Sequence, residues 1–304
     1  MMDRRTFIKM ITGVVAGITV GKNIHAEEIV ETDPVWNAPA GFKRGVVAEY
    51  FKPNPAQQQI ESNIKKYTHN IMIKARQIGA STDIAHLVSM LMFDHPNTIF
   101  SIIVQDWYCA KRMHCKILEH VRQIGGQEAI DTEDIKLITL FNGSAVCIGT
   151  SRSINKTIED AEMVVTKRVK RENALIEEIV QVHKTHGIPE EYTRKKFAAE
   201  PDNKRLFYLS IMDEAAFIPK GDKVFEQLEQ VSDRMCLIST LNGSHDQASW
   251  KYNWYTPKSI FDYHVSKLPW QLVYDEKWYK NQCWALNNVP RYIDTELDIN
   301  TRYL

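Results

Sequence analysis

The sequence predicts an α/β protein built on a mostly parallel sheet, and three observations carry that expectation. Four short apolar runs, "NIMIKA", "TIFSIIVQD", "RLFYLSIMDEA" and "MCLIST", have the length and β-branched content of buried strands. Each is followed by polar or helically spaced sequence, the alternation that places helices on both faces of parallel strands. The first run continues as "IMIKARQIGAST", a strand entering a glycine turn and then a helix, the arrangement whose backbone N–H groups wrap a phosphate chain.

The remaining elements follow in order. After Gly79, "STDIAHLVSMLMFD" opens with Ser81 and Thr82 and repeats Ile84, Leu87, Val88, Leu91 and Met92 at helical spacing. "IKLITLFNGSAVCIGTS" holds two β-rich segments meeting at Asn142 and Gly143, which predicts a hairpin. Residues 152–205 are a charged helical excursion. Ile158, Ala161, Val165, Val169, Ile176, Ile179, Val180 and His183 predict one long amphipathic helix there, and Pro189 sits near the start of a second. Its basic clusters "KRVKR" and "RKK" are interleaved with acids, so a solvated helical hairpin is expected ahead of a nucleic-acid-binding element.

Composition narrows the function classes. A chain of 304 residues buries a substantial core. Apolar residues at 44% and charged residues at 25% are ordinary for a globular protein and do not indicate disorder of the chain as a whole. Lys+Arg and Asp+Glu balance at 38 each, so any nucleic-acid contact comes from a local patch. The five cysteines form no C-x-x-C pair and are odd in number, which argues for reduced, buried thiols over a disulfide framework or a zinc–thiolate site.

The residues that carry chemistry lie at strand ends. In the loop G-x-x-x-x-G-K-[ST] the Lys reaches the β/γ oxygens and the hydroxyl holds Mg²⁺. Here Gly79 and Ser81 fall on that pattern, but Ala80 takes the Lys position and Lys74 the first Gly position. Two readings of Lys74 stand: its long stem carries the ammonium back to the same oxygens, or it is a solvated lysine beside a dead site. "LFYLSIMDEAAF" ends a strand in Asp213 and Glu214, where the Asp suits Mg²⁺ and the Glu suits orientation and deprotonation of a water. "MCLISTLNG" ends in Ser239 and Thr240, hydroxyls placed to sense a γ-phosphate or simply to make a turn. In "FKPNPAQQQI", Phe51 suits stacking on a base and Gln57 an adenine edge, although such residues beside prolines also serve structure alone.

Taken in order, F-x-P-x-P-x-Q, K-A-R-Q-I-G-A-S-T, a hairpin with N-G-S, I-M-D-E-A-A-F-I-P and S-T-x-N-G resemble the ATPase domain of the large terminase subunit of tailed phages, over roughly residues 46–275. The resemblance implies a P-loop NTPase of the additional-strand, catalytic-glutamate type, with ATP and Mg²⁺ as cofactors. It places Arg76, Gln77, Gly79, Ala80, Ser81 and Thr82 in the phosphate loop, Ser81 and Asp213 on the metal, and Glu214 as base. Arg76 becomes an arginine finger, in cis or toward a neighbouring subunit, and Ser239 and Thr240 couple hydrolysis to motion. It implies a domain over 27–304, with a core at 46–245, the helical insertion at 152–205 and a lid at 246–304. Implied partners are double-stranded DNA, a portal protein, a small terminase subunit and further copies in a ring.

Three departures qualify the likeness. Leu241 replaces the usual proline of S-T-P-N-G, and the insertion is long where the family is short. Asp294, Glu296 and Asp298 follow without strands to make them a metal site, so no nuclease is expected here and a separate chain would supply it. The expected function is the ATP-hydrolysing motor of a phage or prophage DNA-packaging terminase; the alternative is a weak or inactive remnant that acts as a binding or regulatory partner. At the amino terminus, "DRRTFIKMITGVVAGITVG" resembles a twin-arginine leader over residues 1–26, with Arg4, Arg5 and Phe7 in place and cleavage at Ala26. Its apolar run is too short and glycine-rich to span a bilayer. ATP chemistry favours the cytoplasm, with export as the alternative.

Overall fold

The apolar runs become strands because each buries both faces. A computed structural model describes residues 51–185, 189–191, 194, 205–240, 263–286 and 288. The leader, the greater part of the second insertion helix, residues 241–245 of the core, residues 246–262 of the lid and the three C-terminal acids lie outside the described residues. In chain order the elements are α1 (Pro55–Lys66), β1 (His69–Lys74), α2 (Ala80–Asp94), β2 (Ile99–Val104), α3 (Trp107–Gly125), β3 (Ile130–Asp134), β4 (Leu137–Leu140), β5 (Ala145–Thr150), α4 (Ile154–Thr185), β6 (Leu209–Asp213), α5 (Gly221–Val231), β7 (Met235–Ser239), β8 (His264–Leu268) and α6 (Glu276–Ala285).

The eight strands form one sheet in the order β3-β4-β5-β2-β6-β7-β1-β8. From β5 to β8 every pairing is parallel, and only β3, β4 and β5 pair antiparallel. Every residue of β1, β2, β5, β6 and β7 is buried, as strands covered on both faces require. β7 lies between β1 and β6, so the strand entering the glycine turn and the strand ending in Asp213 are separated by one additional strand. This is the mostly parallel α/β sheet expected from the sequence, with one strand interposed between β1 and β6.

Local chemistry explains the element ends. Asn54 caps α1 by accepting from Gln57 N at 3.0 Å while Gln57 Oε1 accepts from Asn54 N at 2.8 Å, and Pro55 opens the helix. The β4–β5 hairpin turns at Gly143, whose φ of 82° suits glycine, as Asn142-Gly143 anticipated. Helix α4 is one continuous run of 32 residues. Its first turns bury Ile154, Thr157, Ala161 and Val164 near β5, and beyond them charged residues face water. Arg194 pairs there with Glu177 at 2.6 Å and Lys184 with Glu190 at 2.5 Å, the charge-laced face expected of a solvated hairpin.

β8 departs from the sequence expectation. "HVSKL" buries only Leu268, and an edge strand of alternating exposure this short carries too little apolar signal to stand out from lid sequence. The five cysteines are free, Cys147 and Cys236 being buried in β5 and β7. No helix of the described residues is long and apolar enough to cross a membrane.

Three histidines are buried with lowered basicity. Burial is the first cause for His69, His114 and His120; for His120 the charges of His86 and Lys116 add to it, and its pKa falls to about 4. Below an unfolded pKa of about 6.5 the unfolded chain takes up protons that the native one refuses, so this stability is full at neutral pH and lost as pH falls through about 4. A urea-denaturation midpoint is expected to drop between pH about 7 and about 5. Replacing His120 with Gln should remove ~2 kcal/mol of that loss at pH about 5; a loss equal to that of the wild type would contradict it.

Candidate functional site

The parallel strands β6, β7 and β1 end side by side, and their register brings the expected site residues together. Ile73 is level with Ser239, and Asp213 with Ile238. Lys74, Glu214 and Thr240 therefore meet one residue beyond. Lys74 Nζ donates to Glu214 Oε1 at 2.5 Å and to Thr240 Oγ1 at 3.1 Å, with Lys74 only 4% exposed. Glu214 Oε2 accepts from Thr240 N at 3.2 Å and faces the hydroxyls of Ser239 and Thr240 at 3.4 Å. Ser239 Oγ also accepts from Ala216 N at 3.1 Å, tying the turn after Glu214 to the end of β7.

Glu214 adopts the left-handed backbone conformation, φ 54°, which costs a non-glycine residue about 1 kcal/mol and persists where surroundings enforce it. Burial alone would raise its pKa, but the Lys74 charge and the bonds from Lys74 and Thr240 hold the carboxyl below its usual range. Asp213 behaves oppositely. Burial and the adjacent Glu214 push it up to about 6, against the pull of Lys74, Ser81 and Lys116. Two neighbouring carboxyls are thus driven apart, the pattern of groups with different tasks.

The phosphate loop is held from outside. Gly79 caps α2 at φ 84°, and a Cβ there would come within 2.8 Å of Gln57 Nε2. Gln57 Nε2 donates to Gly79 O at 3.1 Å, Asn54 Nδ2 to Ile78 O at 3.2 Å, and Tyr274 Oη to Gln77 O at 2.6 Å. A trans peptide points its carbonyl and following N–H in opposite directions. Holding these three carbonyls therefore turns the N–H groups of Ile78, Gly79 and Ala80 away from the clamps, at the N-terminus of a 15-residue helix.

Below that terminus lies a cavity of about 230 Å³ lined by Ser81, Val104, Gln105, Cys109, Arg112, Met113, Lys116, Asp213 and Glu214. Lys116 Nζ donates to Thr82 Oγ1 at 2.7 Å. Its pKa is lowered by burial and by Arg112, with Asp213 opposing, so two cations of α3 share the pocket with Asp213 and with Glu214, which already pairs with Lys74. Such a pocket suits an anion. Asp213 Oδ1 is buried without a hydrogen-bond partner among the described residues, and the Ser81 hydroxyl is near enough to pull the Asp213 pKa down. An orphaned carboxylate oxygen beside a hydroxyl is a donor set that fits Mg²⁺.

The site residues expected from sequence divide accordingly. Ser81, Asp213 and Glu214 line one cavity, and Ser239 and Thr240 bond Glu214 directly. Lys74 bonds Glu214 and Thr240, and Ala80 brings no ammonium to the helix terminus. Arg76 and Gln77 are exposed on the loop. Gln57 places its amide on Asn54 and Gly79, which makes it a positioning residue for the loop. Phe51 stacks on His86, ring centroids 4.2 Å apart. Sequence reasoning missed Asn54, Tyr274, Arg112 and Lys116. For the last two the signal was an i, i+4 cationic pair in "KRMHCK", on the helix following a buried strand.

No protein-family model and no curated protein matches the chain. Its structure is similar to the ATPase domains of phage large terminases. A mutant form of the Thermus phage P74-26 large terminase ATPase domain aligns at TM-score 0.48 and 16% identity, over 82% of this chain and 94% of that one. The large terminase of a thermophilic bacteriophage, solved with ADP, aligns at TM-score 0.46 and 9% identity, over 76% of this chain and 50% of that one. A DEAD box protein from Methanococcus jannaschii aligns at TM-score 0.39 and 15% identity, over 78% and 58% respectively. At such scores the likeness carries no functional weight, and what the site does rests on its own residues.

Replacing Gly79 with Ala tests the clamp. The left-handed φ and the approach of Gln57 predict a loss of ~1–2 kcal/mol in urea denaturation; an unchanged midpoint would mean that the loop is not held as described.

Proposed function

We propose that the chain is an ATP-hydrolysing motor subunit of the DNA-packaging terminase type. The observation that carries this reading is the convergence of Ser81, Asp213 and Glu214 on one cavity beneath a clamped helix N-terminus. The triphosphate lies against the N–H groups of the loop, and Lys116 and Arg112 supply from α3 the positive charge that Ala80 cannot. Ser81 and Asp213 would hold Mg²⁺, which would supply positive charge against the triphosphate. Glu214 orients the attacking water and accepts its proton once Lys74 has moved off its carboxylate. Thr240 contacts both Lys74 and Glu214, so loss of the γ-phosphate registers at the end of β7, from which the chain continues into the lid. Arg76, exposed on the loop, is placed to act in cis or across a subunit boundary in a ring. Double-stranded DNA, a portal protein and a small terminase subunit are the partners that this reading brings, in a phage or prophage setting and in the cytoplasm.

One observation favours a second reading, a weak or inactive relative that binds nucleotide. The 2.5 Å pairing of Lys74 with Glu214 occupies the base with a cation. Turnover separates the two readings. Mg²⁺-dependent ATP hydrolysis by the full chain, reduced at least about 10²-fold in Glu214→Gln with nucleotide binding retained, is the expected result. Tight binding with no turnover in the wild type would leave the second reading standing, and turnover indifferent to Glu214→Gln would remove the first.

A further inference from the structure

A second cluster of ligating groups lies between α1 and α2, apart from the strand ends. Glu61 of α1 and Asp83 and His86 of α2 each offer one ligand atom within 4.8 Å of the other two. Glu61 Oε1 and His86 Nδ1 face each other across 3.4 Å. Asp83 is 0% exposed, and neither of its carboxylate oxygens has a hydrogen-bond partner among the described residues. A buried carboxylate left in that condition is costly unless a proton or a cation joins it.

We propose that Glu61, Asp83 and His86 bind one divalent first-row transition cation that fastens α1 to α2. Two carboxylates and a neutral imidazole exactly offset a double positive charge, so the buried group carries no net charge. An imidazole nitrogen in the set favours Zn²⁺, Co²⁺ or Mn²⁺ over Mg²⁺ and Ca²⁺, which prefer oxygen alone. The imidazole plane is set by stacking on Phe51 at 4.2 Å, with the His120 ring 5.4 Å away. Access runs past Glu61, which borders a shallow surface depression with Gln58, Ser62, Lys65 and Lys66. Lys65 holds the other Glu61 oxygen at 3.1 Å, leaving Oε1 for the ion.

The consequence reaches the phosphate loop. Helix α1 carries the Gln57 clamp, and Asp83 N donates to Gly79 O at 3.1 Å. A cation joining the two helices would stiffen the cradle without touching nucleotide. The site does not depend on the proposed ATPase activity.

The test uses the full chain, stripped with chelator, desalted and titrated with Zn²⁺ alone, then with Co²⁺ followed by visible absorption. One equivalent of Zn²⁺ per chain is expected, with a raised melting temperature and Co²⁺ d–d bands free of thiolate charge transfer. Asp83→Asn and Glu61→Gln should each weaken binding about tenfold or more. Should Asp83→Asn fail to fold, Glu61→Gln, at a less buried position, carries the comparison alone. No Zn²⁺ retained by the folded wild-type chain, a thiolate band, or equal affinity in a folded variant would overturn the proposal.

Discussion

The ion pair between Lys74 and Glu214, bridged by Thr240, is the constraint around which the strand ends are arranged. It joins three strands that are distant in sequence but adjacent in the sheet, β1, β6 and β7. It also explains a backbone that would otherwise be unfavourable. Glu214 is left-handed at the end of β6, and the bonds from Lys74 and from the amide and hydroxyl of Thr240 keep it so. With the carboxylate fixed and ionised, the neighbouring Asp213 bears the electrostatic consequence, a raised pKa and an oxygen without a partner.

The loop obeys a complementary logic. Helix N-termini attract anions only when their N–H groups are turned outward, and here side chains from α1 and from the segment before α6 take the loop carbonyls. Asn54 and Gln57 therefore fix where the loop backbone lies. Charge then has to enter from elsewhere, since Ala80 contributes none. α3 brings Arg112 and Lys116 to the opposite wall because β2, which precedes it, lies next to β6 in the sheet.

Much of this was legible in one dimension. Fully buried strands such as β1, β2, β6 and β7 announce themselves as apolar runs, Gly79 marks the turn into α2, and Asp213-Glu214 marks a strand end. Arg112 and Lys116 were not legible, because their role depends on which strands become neighbours, and an i, i+4 cationic pair on an amphipathic helix ordinarily faces water. β8 was hidden by its half-polar alternation. The bonds of Lys74 were not legible either: spacing placed it near the loop, but only the sheet register shows that Glu214 and Thr240 are its partners.

The most direct test asks which lysine meets the triphosphate. Calorimetric affinity for a non-hydrolysable ATP analogue with Mg²⁺, compared among the wild type, Lys116→Ala and Lys74→Met, separates the two. The account predicts that Lys116→Ala weakens binding about tenfold or more, roughly 1.4 kcal/mol or above, while Lys74→Met changes it less than about threefold. A large loss confined to Lys74→Met, with Lys116→Ala binding as tightly as the wild type, would contradict it.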